Sequence, residues 1–355
     1  MVVEKTNEQL GHLPNLTAEE AEHLVEELQQ QAVQLEEQAA ELEVANEELS
    51  ASEAHLRSII DSALDAIVTT DAQSNIIQWN HHAEAMFGWS AEEAVGCNLN
   101  ETIIPPQHRE AHYRGVRHYL KTGEGPILNR RIEITAMRRD GSEFPVELTV
   151  APARWGLQVI FTSFIRDISE RKRAEKQLAA RYAVTQVLAA SGTVAEAIPH
   201  MLQAICENLG WDIGVYWSAD VQAGHLRPAH AWTGLSAEGS EFGRISCELT
   251  FPRGEGLPGR VWEGGEPAWI PDVTRDANFV RHAAAARAGV RAGFAFPVAV
   301  EEEFIGVMEF FQRAVAEPDP ALLAAMGAMG SDIAQFIKRK QAEERLRERE
   351  EFERF

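Results

Sequence analysis

Five leucines near the N-terminus recur at an unbroken seven-residue interval, in a stretch that has neither proline nor glycine. They are Leu28, Leu35, Leu42, Leu49 and Leu56. A straight α-helix would rotate such a stripe off one face, so a sustained heptad repeat is buried by supercoiling with a partner helix. The repeat therefore predicts a coiled coil over residues 17–58. The alternative is a single amphipathic helix packed on its own domain, which the narrow apolar seam among Glu and Gln residues disfavours.

The positions between these leucines predict the orientation of the coiled coil. With leucine at d, the a positions are Val25, Ala32, Ala39, Asn46 and Glu53. A buried Asn at one a position pairs with its symmetry mate and fixes the register of a parallel, two-stranded coiled coil. We therefore expect a parallel homodimer, preceded by a flexible tail over residues 1–16.

Composition excludes several classes of partner. The net charge of −22 argues against nucleic acid or an anionic membrane as the main partner. No apolar run is long enough to span a bilayer, and the N-terminus lacks the apolar core of a secretory signal. The three cysteines, Cys97, Cys206 and Cys247, are too widely spaced for a disulfide framework or a zinc site. We expect a cytoplasmic protein with reduced thiols.

After the heptads, the apolar pattern changes from helical to alternating. AIVTT and IIQW predict a hairpin around residues 73–75, and Asn80 and Ser90 are expected to cap short helices. Pro105 and Pro106 are expected to open a longer helix that Gly123 ends, and three strands are expected to follow it. This order predicts a compact α+β unit.

Three motifs in this unit resemble a known family. WNHHAEAMFGWSAEEAVG, RRDGSEFPVELTV and FIRDISERKRAE fall in the order and spacing of a PAS domain, the sensory module of bacterial signalling proteins. The resemblance covers residues 59–169. It implies a PAS fold for this α+β unit and a role in signal detection.

The remainder of the chain resembles a second sensory family. A linker helix is expected over residues 170–180, and the GEGLPGR and GVMEFF segments are similar to a GAF domain over residues 181–338. The ERKRAEKQL motif that leaves the first domain recurs as KRKQAEERL, so residues 339–355 are expected to form a signalling helix that leads to an absent effector. The arrangement resembles the sensory region of a histidine kinase. No segment resembles the H-box or the ATP-binding boxes of such kinases, so we expect no enzyme activity in this chain.

Two cofactors are considered for the PAS domain. A flavin adduct needs a Cys directly after the Asn of its motif, but that position holds Leu99, and Cys97 is expected to be a small buried apolar residue. From His112 to Gly141 the chain resembles the FixL-type haem oxygen sensors without a gap. That resemblance implies that His112 is the proximal ligand of haem b iron.

By the same resemblance, Ile127, Leu148 and Val150 would form apolar walls of the haem pocket. The Arg that binds oxygen in that family is replaced by Ile132, although Arg131 lies beside it, and the positions near the propionates hold His118 and Pro126. These departures imply altered oxygen affinity and make NO or CO sensing a hypothesis. The alternative is that His112 is an ordinary histidine on a helix surface.

The sequence indicates no ligand for the GAF domain. Cys206, in a predicted helix, and Cys247, in a predicted strand, are not followed by His, and phytochrome-type bilin sites usually show a Cys-His pair. The NKFDE motif of cyclic-nucleotide binders is not visible. GEGLPGR lacks the Lys-Ser/Thr of a P-loop and predicts a tight turn.

Two functional hypotheses follow. In the first, the chain is a dimeric PAS–GAF sensor whose coaxial helices relay a change to a kinase domain. Arg166 and Asp167, at the exit of the last PAS strand, would couple the sheet to the helix, or would serve only as a turn and cap. In the second, both domains are ligand-free scaffolds for dimerisation and protein interaction.

Overall fold

The computed structural model describes residues 18–156, 158–234 and 237–353. The chain divides into two units, Met1–Ser169 and Glu170–Phe355. The predicted flexible tail, residues 1–16, lies outside the described residues.

The heptad region forms one continuous helix, α1 (Ala18–Asp61), of 44 residues. Four of its leucines are exposed to solvent: Leu35 by 65%, Leu42 by 71%, Leu49 by 58% and Leu56 by 57%. The side chains of Val25 and Leu28 lie outside the described residues. The predicted helix is therefore confirmed, and its pairing with a second copy stays a prediction.

The hairpin after α1 forms as the alternating pattern predicts. Strand β1 (Ala66–Thr70) pairs antiparallel with β2 (Ile76–Trp79). The turn between them is held by the Asp71 carboxylate, which accepts hydrogen bonds from the backbone N–H groups of Gln73 and Asn75. This Asx-type turn fixes the register of the hairpin.

Four helices follow the hairpin: α2 (His81–Phe87), α3 (Ala91–Ala94), α4 (Leu99–Thr102) and α5 (Pro106–Thr122). The predicted caps are confirmed. The side chain of Asn80 accepts a hydrogen bond from Ala83 N, and Ser90 forms a capping box with Glu93. Gly123 ends α5 with a φ of 74°, a conformation that glycine adopts without steric cost.

The first unit is completed by strands β3 (Arg131–Met137), β4 (Glu143–Trp155) and β5 (Gln158–Asp167). The five strands form an antiparallel sheet in the order β2-β1-β5-β4-β3. The core lies on one face of this sheet, where Phe87 of α2 packs with Phe144 and Ile165 of the strands. The predicted α+β order is confirmed.

The second unit contains six helices and six strands among its described residues. They are α6 (Ser169–Ala190), α7 (Val194–Leu209), β6 (Ile213–Asp220), β7 (His225–Thr233), α8 (Ala237–Ser246), β8 (Phe251–Pro252), α9 (Gly256–Gly264), β9 (Ala268–Ile270), α10 (His282–Ala288), β10 (Ala292–Val300), β11 (Glu303–Gln312) and α11 (Pro320–Glu353). The sheet is antiparallel, in the order β8-β7-β6-β11-β10-β9. The predicted linker helix continues past residue 180 to Ala190.

The second sheet has a hydrophobic core on each face. The first core packs the sheet against α6, α7 and α11, and the second core packs it against α8, α9 and α10. Side chains alternate along β11, so Met308 and Phe310 enter the first core while Val307 and Phe311 enter the second.

Helix α11 is long and apolar enough over Pro320–Glu350 to cross a membrane. Met326, Ile333 and Ile337 are nevertheless buried in the first core. The apolar composition of this helix is accounted for by packing within the domain.

Two of the cysteines differ from the expectations. Cys97 is exposed and its thiol contacts the carbonyl oxygen of Glu93, so the prediction of a buried apolar residue is wrong. Cys247 lies in the turn after α8 and not in a strand, because the alternating pattern of ISCELTF spans a helix end and a turn before β8. Cys206 is buried in α7, as the helical prediction requires.

Candidate functional site

Helix α5 lies over the core face of the first sheet. At one end of α5, the Tyr119 ring packs edge-on against Phe161 of β5, with ring centroids 5.3 Å apart. None of the residues of α5, all of which the structure describes, is fully buried. The half-buried ones recur at helical spacing and mark the inner side: Arg109, His112, Val116 and Tyr119.

The strands beneath α5 present apolar side chains on the same face. Leu148 pairs with Ile132 on one side and with Ile165 on the other, and Val150 follows two residues later. Ile165 is fully buried, whereas the other three are only half-buried. The α5 groove is defined here by its lining residues: His112, Val116, Tyr119, Ile132, Leu148 and Val150. All six side chains are half-buried.

The loop between α5 and β3 closes one end of the sheet. Asn129 N donates a hydrogen bond of 2.8 Å to the carbonyl oxygen of Val150, and Leu128 bridges to the same residue. Ile127, one of the predicted pocket residues, lies in this loop and is 41% exposed. Pro126 beside it is also exposed.

The imidazole of His112 has a buried partner. Its Nδ1 lies 2.9 Å from Oδ1 of Asn100, a residue of α4 that is fully buried. Burial of the ring disfavours its charged form and lowers the pKa of His112 below the ordinary value. The imidazole is therefore neutral at pH 7.

A chain of amide hydrogen bonds fixes which nitrogen of His112 carries the proton. The Asn98 Nδ2 donates to the carbonyl oxygen of Gln73, which can only accept, so Asn98 Oδ1 faces Asn100 and accepts from its Nδ2 at 2.9 Å. The remaining Asn100 oxygen then accepts from His112, and Nδ1 must be the protonated nitrogen. The lone pair of Nε2 remains free to bind a metal.

Asn100 was not predicted from the sequence. It lies twelve residues before His112 and looks like one more polar residue at a helix start, because Asn98 next to it is the N-cap of α4. Only the packing of α4 against α5 brings its oxygen to the imidazole. Nothing in the sequence indicates that this Asn is buried and orients the candidate ligand.

Two predicted site residues lie away from the α5 groove. Arg131 is next to Ile132 on β3 and therefore points to the opposite face of the sheet, where its Nε lies 3.3 Å from a carboxylate oxygen of Glu147. His118 is exposed on the outer side of α5. Neither side chain contributes to the α5 groove in this structure.

The two predicted coupling residues have separate partners. Arg166 forms a bidentate ion pair with Asp65, at 2.7 and 3.1 Å, just before β1. Asp167 binds Arg138 at 2.7 Å and accepts from Ser169 N at 2.8 Å. Burial alone would raise the pKa of Asp167, but these hydrogen bonds lower it. Asp167 thus makes the turn-and-cap contact at the start of α6, and its role in coupling stays a prediction.

The chemistry of His112 fits a proximal haem ligand, because its imidazole is neutral and its Nε2 is not the protonated nitrogen. Pro126 and His118, which the family resemblance puts near the propionates, are both exposed.

Comparisons with known proteins agree with the two resemblances. Residues 54–168 match the sequence model described as PAS fold, and residues 191–338 match the model described as GAF domain. The PAS match begins at residue 54, where 59 was expected, and the GAF match begins at residue 191, where 181 was expected. Helix α6 precedes the matched GAF region.

Three relatives match part of the chain. An uncharacterized protein of Azorhizobium caulinodans is 43% identical over 131 residues, covering 36% of this chain and 18% of that protein. The sensor protein FixL of Bradyrhizobium diazoefficiens is 32% identical over 157 residues, covering 43% and 31%. The cell-division control histidine kinase PdhS of Brucella ovis is 34% identical over 135 residues, covering 36% and 12%.

The chain spans less than a third of the length of each of these relatives. Its first unit carries a PAS domain and its second unit a GAF domain. The chain is a PAS–GAF sensory region related to the sensor protein FixL and to the histidine kinase PdhS.

Proposed function

We propose that this chain is the dimeric, cytoplasmic sensory region of a two-component histidine kinase and that its PAS domain binds haem b through His112. The observation that carries the haem proposal is the buried, neutral imidazole of His112, which Asn100 holds in one orientation. The similarity to FixL, whose name identifies a sensor protein, supports the same assignment.

The residues of the α5 groove have distinct roles in this proposal. His112 Nε2 would bind the iron, while Ile132, Leu148 and Val150 would contact the macrocycle. When bound, the haem would supply an iron centre with an open position for a diatomic gas. Asn100 keeps Nδ1 protonated and holds the ring in one orientation.

The same residues bear on which gas is sensed. Ile132 offers an aliphatic side chain without a hydrogen-bond donor, and Arg131 is paired with Glu147 on the other face of the sheet. Bound oxygen is stabilised by a donor because it carries partial negative charge, whereas CO gains less from one. We therefore propose that this PAS domain discriminates less in favour of oxygen than the FixL family does, and that NO or CO is a candidate signal.

We further propose that the exposed leucines of α1 pair with those of a second copy in a parallel coiled coil. Both copies would then present α6 and α11 in the same direction, and a change in the PAS sheet would reach α6 through Arg166 and Asp167. Sedimentation of the full chain tests the pairing. A monomer at micromolar concentration, or no loss of dimer in Leu42→Asp, would contradict it.

The haem proposal is tested by the absorption spectrum of the full chain after reconstitution with haemin. We expect a Soret band with one haem per chain, its loss in His112→Ala, and its retention in the matched control His118→Ala, which removes an exposed histidine of the same helix. If wild-type protein takes up no haem, or if His112→Ala binds it equally well, the haem proposal is wrong.

A ligand-free scaffold for dimerisation is the second candidate function. The exposed Ile127 and Pro126 favour it, because both would leave a haem poorly enclosed. A dimer that binds neither haem nor flavin would support this scaffold function.

A further inference from the structure

The second core of the GAF domain contains a charged pair. Arg281, just before α10, is 3% exposed, and Glu309, in the central strand β11, is fully buried. The two side chains form a bidentate pair, with Nη1–Oε1 and Nη2–Oε2 distances of 2.6 and 2.8 Å. Nη1 also donates to Ser246 Oγ at 2.8 Å. Removing two charges from water is costly, and apolar residues of similar volume often fill such a site equally well.

Five aromatic rings surround the same guanidinium group. Its central carbon lies between 5.0 and 5.7 Å from the ring centroids of Trp217, Phe242, Phe251, Phe279 and Phe311. Aromatic faces attract a desolvated cation through their quadrupoles, and a cage of several rings is selective for cations. A carboxylate, a hydroxyl and an aromatic cage together have the chemistry of a guanidinium-binding site.

The fit of Arg281 to this site is incomplete. Among the described residues, no acceptor lies within hydrogen-bond reach of Arg281 Nε, or of the buried Trp217 Nε1. An unpaired buried donor is costly, and native cores contain few of them. The site therefore binds Nη1 and Nη2 of Arg281 tightly but offers no hydrogen-bond acceptor to its Nε.

We infer that the GAF domain contains a binding site for guanidinium compounds and that Arg281 is its tethered occupant. Glu309 and Ser246 recognise the two terminal nitrogens, and the five rings recognise the charge. An anionic ligand is excluded from this site, because it would meet the buried carboxylate of Glu309 in a medium of low dielectric constant. The class of molecule that can replace Arg281 is a small monosubstituted guanidine.

Chemical complementation of the full chain tests this inference. Arg281→Ala removes the atoms of N-ethylguanidine and leaves Glu309 unpaired, so we expect the GAF melting temperature to fall by roughly 10 °C. Millimolar N-ethylguanidine should restore part of this loss with a saturable dose dependence. Ethylamine, a cation without the planar fork, should restore much less.

Two variants separate a binding site from a general effect on stability. Arg281→Ala combined with Glu309→Gln keeps the cavity but removes the charge, and N-ethylguanidine should no longer raise its melting temperature. Arg287→Ala removes an exposed arginine of α10, which pairs with Glu241 at 3.4 Å, and should show no response. If Arg281→Ala does not fold alone, its refolding yield from urea with each compound replaces the melting temperature. Equal responses to N-ethylguanidine and ethylamine, or no response to either, would overturn the inference.

Discussion

Replacing Asn80 with alanine would remove the side chain that joins α1 to the PAS domain. Asn80 is 2% exposed, and its Oδ1 accepts from Ile67 N at 2.9 Å and from Ala83 N at 3.0 Å. Its Nδ2 donates to the carbonyl oxygens of Ile60 and Asp65, at 3.1 and 3.2 Å. One amide therefore holds the last turn of α1, the start of β1 and the first turn of α2 together.

The cost of this substitution follows from the partners that it leaves. Loss of the N-cap of α2 costs about 1 kcal/mol. The N–H of Ile67 becomes an unpaired donor in a buried position, which costs about 1–3 kcal/mol more. We therefore expect Asn80→Ala to lower the free energy of unfolding of the PAS domain by roughly 2–4 kcal/mol, or its melting temperature by roughly 10 °C.

Urea unfolding measured by tryptophan fluorescence would test this value, because Trp79 adjoins the site. Ser90→Ala is the matched control, since Ser90 caps α3 at an exposed position and should cost no more than about 1 kcal/mol. Asn80→Asp keeps the acceptor oxygen but turns a buried carboxylate oxygen toward the carbonyl oxygens of Ile60 and Asp65, so it should be at least as destabilising as Asn80→Ala. Equal losses in Asn80→Ala and Ser90→Ala would refute the reasoning from burial.

Two further predictions concern acid unfolding and thiol reactivity. Hydrogen bonds from Arg291 and the neighbouring threonine hold the pKa of Asp272 well below its usual range. The contribution of Asp272 to the free energy of unfolding is therefore complete above the unfolded pKa of about 4, and it is lost as the pH falls below that value. Asp272→Asn should therefore lose less stability than wild type between pH 5 and pH 2.5 in urea titrations, and a steeper loss would contradict the assignment. Cys97 and Cys247 are exposed, whereas burial raises the pKa of the Cys206 thiol. A thiol reagent should label two cysteines in native protein and the third only after unfolding; rapid native labelling of Cys206 would show that α7 opens.

Local sequence rules predict most of the secondary structure of this chain. Short-range patterns correctly indicate the caps at Asn80 and Ser90, the β1–β2 hairpin and the glycine that ends α5. Each of these features depends on hydrogen bonds between residues close in sequence. The same rules fail at Cys247. There an alternation of apolar and polar residues spans the end of α8. Ser246 belongs to this helix, and its Oγ donates a hydrogen bond to the carbonyl oxygen of Phe242.

The candidate site is only partly accessible from sequence. Alignment to a family selects His112 and Leu148 and places Ile132 where that family has an Arg, but it leaves open what Arg131 beside it does. Adjacent residues of a strand face opposite sides of the sheet, so Arg131 is directed away from the groove. The role of Asn100 could not be predicted, because its contact with the imidazole depends on how two helices pack.

The sequence alone determined the order of helices and strands in the PAS domain and the caps at Asn80 and Ser90, and it predicts an apolar seam along α1, since periodicity and capping act over a few residues. Tertiary structure alone decided which polar groups meet in the interior. Arg281 bonds to Glu309, and Asn80 to the carbonyl oxygen of Ile60, only after distant segments of the chain have packed together. Burial then makes each such contact strong, because a polar group removed from water must find its partner within the protein.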